Sequence, residues 1–234
     1  MKFLKRLIPF LICFGMITVF CSCEKEEDII KEIESQIPVI TEEISANQVE
    51  GFEEKKPKNS QIGIIVDSWL KIISIGEKDG VLSVFVRNTS DKDIQYALLT
   101  VSVSGEKAEF PITTLTAGAS ATLRCQNGLT YNDETSYYNW KISDKVVFNE
   151  NLSCHPDAFE IDGVDGFISI KNVSGKDIEG KIYIYYKNVT DGVYDDGVTY
   201  RAYVDGLKKG EKTQIQTQHY LKDFSRIMFV EYAE

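Results

Sequence analysis

Two histidines and three methionines stand in a chain of 234 residues. Even with five cysteines, two histidines leave little material for a transition-metal site. Basic residues are a minority, 26 Lys and Arg against 36 Asp and Glu, for a formal charge of −10. That balance argues against nucleic acid as a partner, because phosphate binding needs a basic surface. The chain also lacks a Gly-x-Ser-x-Gly elbow, a His-Glu-x-x-His pair, a phosphate loop and a Gly-x-Gly-x-x-Gly turn. No cofactor is indicated. Asp162-Gly163-Val164-Asp165-Gly166 and Asp195-Asp196-Gly197 offer oxygen ligands without EF-hand spacing, and Asp-Gly pairs are ordinary hairpin turns. What is plentiful is aromatic: 12 Tyr and 12 Phe, a bias towards strands.

The segment 1–22 reads as an address rather than as fold. Lys2, Lys5 and Arg6 precede a charge-free apolar run from Leu7 to Phe20, too short to cross a bilayer comfortably. Phe20-Cys21-Ser22-Cys23 then gives way to Glu24-Lys25-Glu26-Glu27. This succession resembles the signal and lipobox of bacterial lipoproteins, in which the cysteine is diacylglycerated and becomes the first residue of the mature chain. Ser22 supplies the small residue before the cysteine, so the resemblance assigns lipidation to Cys23. Phe20 departs from the leucine usual three places upstream. The alternative is a cleaved secretory signal whose cysteines carry no lipid. Removal of this segment takes away three positive charges, Lys2, Lys5 and Arg6, and no negative ones. The mature chain is then still more acidic, so attraction to anionic lipid cannot replace the acyl chains. The expected location is the extracytoplasmic face of the cell membrane.

The segment 23–62 reads as a flexible acidic stalk. Between 24 and 60 there are 11 Asp and Glu, and Phe52 is the single aromatic residue. Glu53 to Ser60 reads as solvated linker. A second reading makes Ile29, Ile33, Ile37 and Ile40 the stripe of a short docking helix.

Beyond Trp69 the pattern turns to short β-branched and aromatic runs punctuated by turns. An internal repeat organises them. Val86-Arg87-Asn88-Thr89-Ser90-Asp91-Lys92-Asp93-Ile94 matches Ile170-Lys171-Asn172-Val173-Ser174-Gly175-Lys176-Asp177-Ile178, with five of nine positions identical. Leu115-Thr116-Ala117-Gly118 matches Leu207-Lys208-Lys209-Gly210. The offset between the copies grows from 84 at the first match to 92 at the second, so copy two carries an insertion, placed near Asn188 to Gly197. The strand, Asn-x-Ser turn, strand and later Leu-x-x-Gly resemble the immunoglobulin-like FxLYD modules common in lipoproteins of Gram-positive bacteria. The resemblance implies an all-β chain of two tandem immunoglobulin-like β-sandwich domains, copy one at 63–153 and copy two at 154–234. The two copies are expected to share strand order but no continuous sheet, and to contain no significant helix.

Cys125 and Cys154 lie outside the cytosol in this reading and are candidates for a disulfide at the joint between copies. Such a bond would contribute about 3.5 kcal/mol by loop entropy; two free thiols are the alternative. The candidate ligand platform is the tyrosine-rich hairpin of copy two. Tyr183, Tyr185, Tyr186, Tyr194, Tyr200 and Tyr203 crowd into this one short stretch. Alternation puts Tyr183 and Tyr185 outward with Lys181 and Lys187, and Tyr203 outward with Thr199 and Arg201. The repeat alignment instead sets Tyr183 and Tyr185 on the apolar Leu99 and Val101. The insertion around Asn188 to Gly197 is expected to project, with Tyr194 and at least one of Tyr185 and Tyr203 exposed. The function expected is a lipid-anchored, non-enzymatic surface binding protein, its partner an envelope protein or a glycan. The alternatives are an accessory or sensor subunit of an envelope enzyme or transporter, and a hydrolase with a site between the copies.

Overall fold

Every residue from Leu82 to Val86 is buried, although a strand with one solvated face would alternate. The architecture supplies two covers. The computed structural model describes residues 50–57 and 60–233, and among them it contains strands and no helix. Cys23, the segment 1–49 and its candidate stripe lie outside the described residues.

The strands of the first half are β1 (Phe52–Lys55), β2 (Ile65–Val66), β3 (Leu70–Lys78), β4 (Val81–Asn88), β5 (Ile94–Val103), β6 (Glu106–Leu115), β7 (Ser120–Arg124) and β8 (Tyr137–Val147). Those of the second half are β9 (Phe159–Val164), β10 (Phe167–Asn172), β11 (Ile178–Thr190), β12 (Val193–Asp195), β13 (Tyr200–Leu207), β14 (Lys212–Gln216) and β15 (Ser225–Glu231). In the first half β3–β4–β7 and β6–β5–β8 hydrogen-bond in those orders. In the second, β9–β10–β14 and β13–β11–β15 repeat the pattern strand for strand. Each half has its own core. Leu82, Val84, Leu99, Ile112 and Leu123 belong to the first. Ile168, Ile170, Ile182, Ile184 and Val230 belong to the second. Burial of each such side chain is worth about 1.5–3 kcal/mol.

The repeated asparagine does the same work twice. Asn88 Nδ2 donates to the carbonyls of Lys92 (2.8 Å) and Leu115 (3.0 Å), and its Oδ1 accepts from Ser90 N–H (3.0 Å) and Oγ (2.7 Å). Asn172 bonds in the same way to Lys176 (2.8 Å), Leu207 (2.9 Å), Ser174 N–H (3.0 Å) and Ser174 Oγ (2.7 Å). Gly118 and Gly210 each donate a 3.0 Å backbone bond to the asparagine carbonyl of their own half. The Leu-x-x-Gly element is therefore the partner of the Asn turn.

Register resolves the disagreement over the tyrosines. Ala97 faces Ile112 on β5–β6, whereas Ile182 faces Val204 on β11–β13. The offset is 85 on one strand and 92 on the other, so β11 carries one residue more than the alignment allowed. The extra residue is a bulge between Ile178 and Lys181 that includes Gly180, at φ 79°, a conformation that favours glycine. Tyr183 and Tyr185 consequently do not take the buried places of Leu99 and Val101. Ile182, Ile184 and Tyr186 point inward, and Tyr183 and Tyr185 point out.

The remaining insertion does not project. Val193, Tyr194 and Asp195 pair in parallel with Ser120, Ala121 and Thr122, so β12 extends the edge of the first half and a continuous hydrogen-bonded path runs β1–β3–β4–β7–β12–β11–β13. The expectation that the copies share no sheet is thereby corrected. Pairing alternates the side chains as a strand must. Val193 lies on the outer face with Phe85, Phe52 and Ile73. Tyr194 packs against the first core. Asp195 forms an ion pair with Lys78.

The stalk reading needs a second correction. Phe52–Lys55 pairs antiparallel with β3. Phe52 is 6% exposed and its ring centroid lies 6.4 Å from that of Phe85. One apolar anchor in a charged run suffices to dock the strand. β1 and β12 together account for the second cover over β4.

Candidate functional site: an aromatic face and the groove beside it

The outer face of β13–β11–β15 carries the residues that alternation turns away from the second core. Register brings them into rows. Tyr183 sits between Tyr203 and Glu231, and Tyr185 between Arg201 and Phe229. The Tyr183 and Tyr203 rings are 6.1 Å apart. Lys181 Nζ lies 4.7 Å from the Tyr203 ring centroid, and the Arg201 guanidinium lies 4.9 Å from that of Tyr183. Such pairs are worth about 0.5–1 kcal/mol at exposed sites. Tyr203 is 50% exposed, and Tyr183 is half-buried.

Tyr185 is half-buried and held more tightly. Its ring stacks on Phe229 at 4.3 Å, and its hydroxyl donates to Glu231 Oε2 at 2.8 Å. Burial, together with the acceptor carboxylate, raises its pKa above the ordinary phenol value. Phe148, at the end of the first half, meets Phe229 edge-on at 5.2 Å. Phe148, Phe229 and Glu231 also line a groove of about 520 Å³ between the connector 148–155 and β15. Gln95, Glu150, His155 and Tyr232 are among its other lining residues. Face and groove thus share Phe229 and Glu231. The pattern of alternating tyrosines pointed to Tyr185 and Tyr203. Phe148, Phe229 and Glu231 gave no such signal, because they arrive from the end of β8 and from β15 through pairing of distant strands.

Tyr194 does not belong to this surface. Its ring is packed at the joint, and its hydroxyl lies 3.1 Å from Thr116 Oγ1. The expectation that it stands exposed fails because β12 pairs with β7 and turns that side chain towards the first core. Around it is a polar knot. Thr113 N–H donates to Gly197 O at 2.7 Å, Thr199 N–H to Thr113 Oγ1 at 2.7 Å, and Thr199 Oγ1 to Thr113 O at 2.9 Å. Lys187, expected outward, is instead buried in the same knot, where the carbonyls of Thr113 and Gly197 accept from its amine.

Cys125 and Cys154 are both free, the second of the two alternatives. Cys125 is buried just past the end of β7, with its thiol donating to Asn127 Oδ1 at 2.8 Å. Cys154 lies half-buried in the connector, where burial raises its pKa. His155 meets Tyr232 edge-on at 5.1 Å, and His219 stacks on Tyr200 at 4.6 Å. The Asp-Gly oxygens are used locally: Asp162 Oδ1 accepts from Gly163 N–H at 2.8 Å, and Asp196 Oδ1 from Gly197 N–H at 2.6 Å. Among the described residues no three His, Cys, Asp or Glu side chains gather as a metal site.

Comparison with protein-family models, with curated proteins and with solved structures finds no match to this chain.

Proposed function

We propose that the protein is a non-enzymatic binding protein of the cell envelope, held at the extracytoplasmic face by a lipid on Cys23. Its two halves are two tandem immunoglobulin-like β-sandwiches, and the second carries the binding face. The repeated strand order and the two separate cores support the tandem reading. The observation that carries the binding reading is the strip of exposed Tyr203 and half-buried Tyr183 crossed by Lys181 and Arg201. Tyrosine offers large contact area at low entropic cost, with a hydroxyl at its tip. The partner is an envelope protein or a glycan.

The test compares wild type with Tyr203→Ala in capture of partners from solubilised envelope and on a glycan array. Loss of one captured species or glycan class on substitution, at unchanged melting temperature, supports the reading. Identical capture profiles overturn it. Mass spectrometry of the mature N-terminus tests the anchor: a diacylglycerol-modified Cys23 is expected, and an unmodified terminus elsewhere refutes it.

A further inference from the structure

We propose that the groove between the connector 148–155 and β15 receives an alkylammonium group, carried by a small amine or by a lysine side chain. The proposal rests on the binding reading above and names the chemistry of the ligand. Three observations carry it.

The first is charge. Glu150 and Glu231 line the groove, and no Lys or Arg is among its described lining residues. Tyr185 donates to Oε2 of Glu231 at 2.8 Å, which orients that carboxylate at the edge of the groove. The formal charge of −10 adds an attraction for cations at long range.

The second is the aromatic wall. Phe148 and Phe229 meet edge-on, as do His155 and Tyr232, and all four line the groove. On the adjoining strip the molecule already places its own cations over aromatic rings, Lys181 on Tyr203 and Arg201 on Tyr183. Among the described residues no such cation covers Phe148. A ligand cation there would repeat the chemistry of the neighbouring strip with an external partner.

The third is size. A volume of about 520 Å³ accommodates an ammonium group and a short chain, and lies within the usual range for small-molecule sites. Carboxylates disfavour an anionic ligand, and a neutral one gains nothing from their charge.

The experiment titrates the full chain in detergent at pH 8, by calorimetry and ligand-observed NMR. Three probes are used: choline, N-acetyl-lysine methylamide, and the neutral choline isostere 3,3-dimethylbutan-1-ol. At least one cation is expected to bind about tenfold tighter than the isostere. Preference for choline assigns a small quaternary amine, and preference for the lysine probe assigns a peptide side chain. Glu231→Gln and Phe148→Ala should each weaken the cation by about three- to tenfold, while Phe167→Ala, an exposed ring outside both the groove and the tyrosine strip, leaves it unchanged. Added salt should weaken the cation and spare the isostere, a readout that requires no variant. If neither cation outbinds the isostere, or if the double variant Glu150→Gln/Glu231→Gln binds like wild type at an unchanged melting temperature, the inference is overturned. The general binding reading is judged separately by the envelope capture of Tyr203→Ala.

Discussion

Lys187 Nζ donates a hydrogen bond of 2.7 Å to the carbonyl oxygen of Thr113, tying β11 to β6. A second bond, of 3.1 Å, goes to the carbonyl of Gly197. The residue is 1% exposed. Burial lowers its pKa to about 7, with Asp196 opposing the shift. A neutral amine has two N–H donors, and here it meets two carbonyl acceptors.

A pH dependence of stability follows. Below about pH 7 Lys187 is protonated in both native and unfolded chains and contributes no slope. Above that, the unfolded chain keeps its proton up to about pH 10.4 while the native chain has lost it. Stability therefore rises with pH across that window. Urea unfolding at pH 6.5 and pH 9.5 is expected to show the rise in wild type relative to Lys187→Met. Cys154 and the buried tyrosines, whose raised pKa values act in the opposite sense, are common to both proteins and cancel in the difference. Methionine leaves neither carbonyl orphaned, because Thr113 O and Gly197 O each accept another hydrogen bond. Equal slopes would show that Lys187 keeps its charge in the folded protein.

Gly197→Ala should loosen the joint. A Cβ there would stand 2.0 Å from the carbonyl oxygen of Pro111, which is backbone and cannot swing aside. The substitution is expected to cost about 3 kcal/mol or more and to split one unfolding transition into two, read by calorimetry. A single transition with unchanged midpoint would mean that the knot contributes nothing.

Asn88→Ala and Asn172→Ala each remove the donor to a carbonyl of the Leu-x-x-Gly element and the acceptor that holds the Asn-x-Ser turn. Each should destabilise its own half by about 2–3 kcal/mol, measured by denaturant midpoint. Unequal losses would show that the halves rely differently on one motif.

Tyr194 and Tyr203 should separate structure from surface. Tyr194→Ala leaves a cavity at the joint and is expected to cost about 2–4 kcal/mol. Tyr203→Ala removes a half-exposed ring and should cost less than about 1 kcal/mol. Thermal unfolding of the two variants gives the comparison.

How much of this was written in the chain is clearest at Asn88 and Asn172. A turn residue that bonds its own neighbourhood leaves a local signature, so the repeat, and with it the expectation of one strand order in both halves, could be read from spacing, whereas the order itself could not. Outward placement of Tyr183 and Tyr203 was likewise legible from alternation alone, and the alignment misled only because one bulge residue at Gly180 reverses the parity of a strand. The position of Tyr194 was not legible. Its environment is decided by β7, a strand of the other half and remote in sequence, and an Asp-, Gly- and Tyr-rich stretch reads equally well as a free hairpin or as an edge strand. Phe52 was hidden for the opposite reason: its neighbours are charged and solvated, and only its own ring carries the contact. The aromatic wall of the groove draws on residues from both halves, and no local pattern announces such a meeting.

The pairing of β12 with β7 also has a consequence in time. Synthesis runs from the amino terminus, so Arg124 is made well before Asp195. At about 5–20 residues per second, the first half waits several seconds with the β7 edge uncapped. During that interval its open N–H and C=O groups can pair with any passing strand, including the same edge of another nascent chain. Completion of the second half closes the window from within.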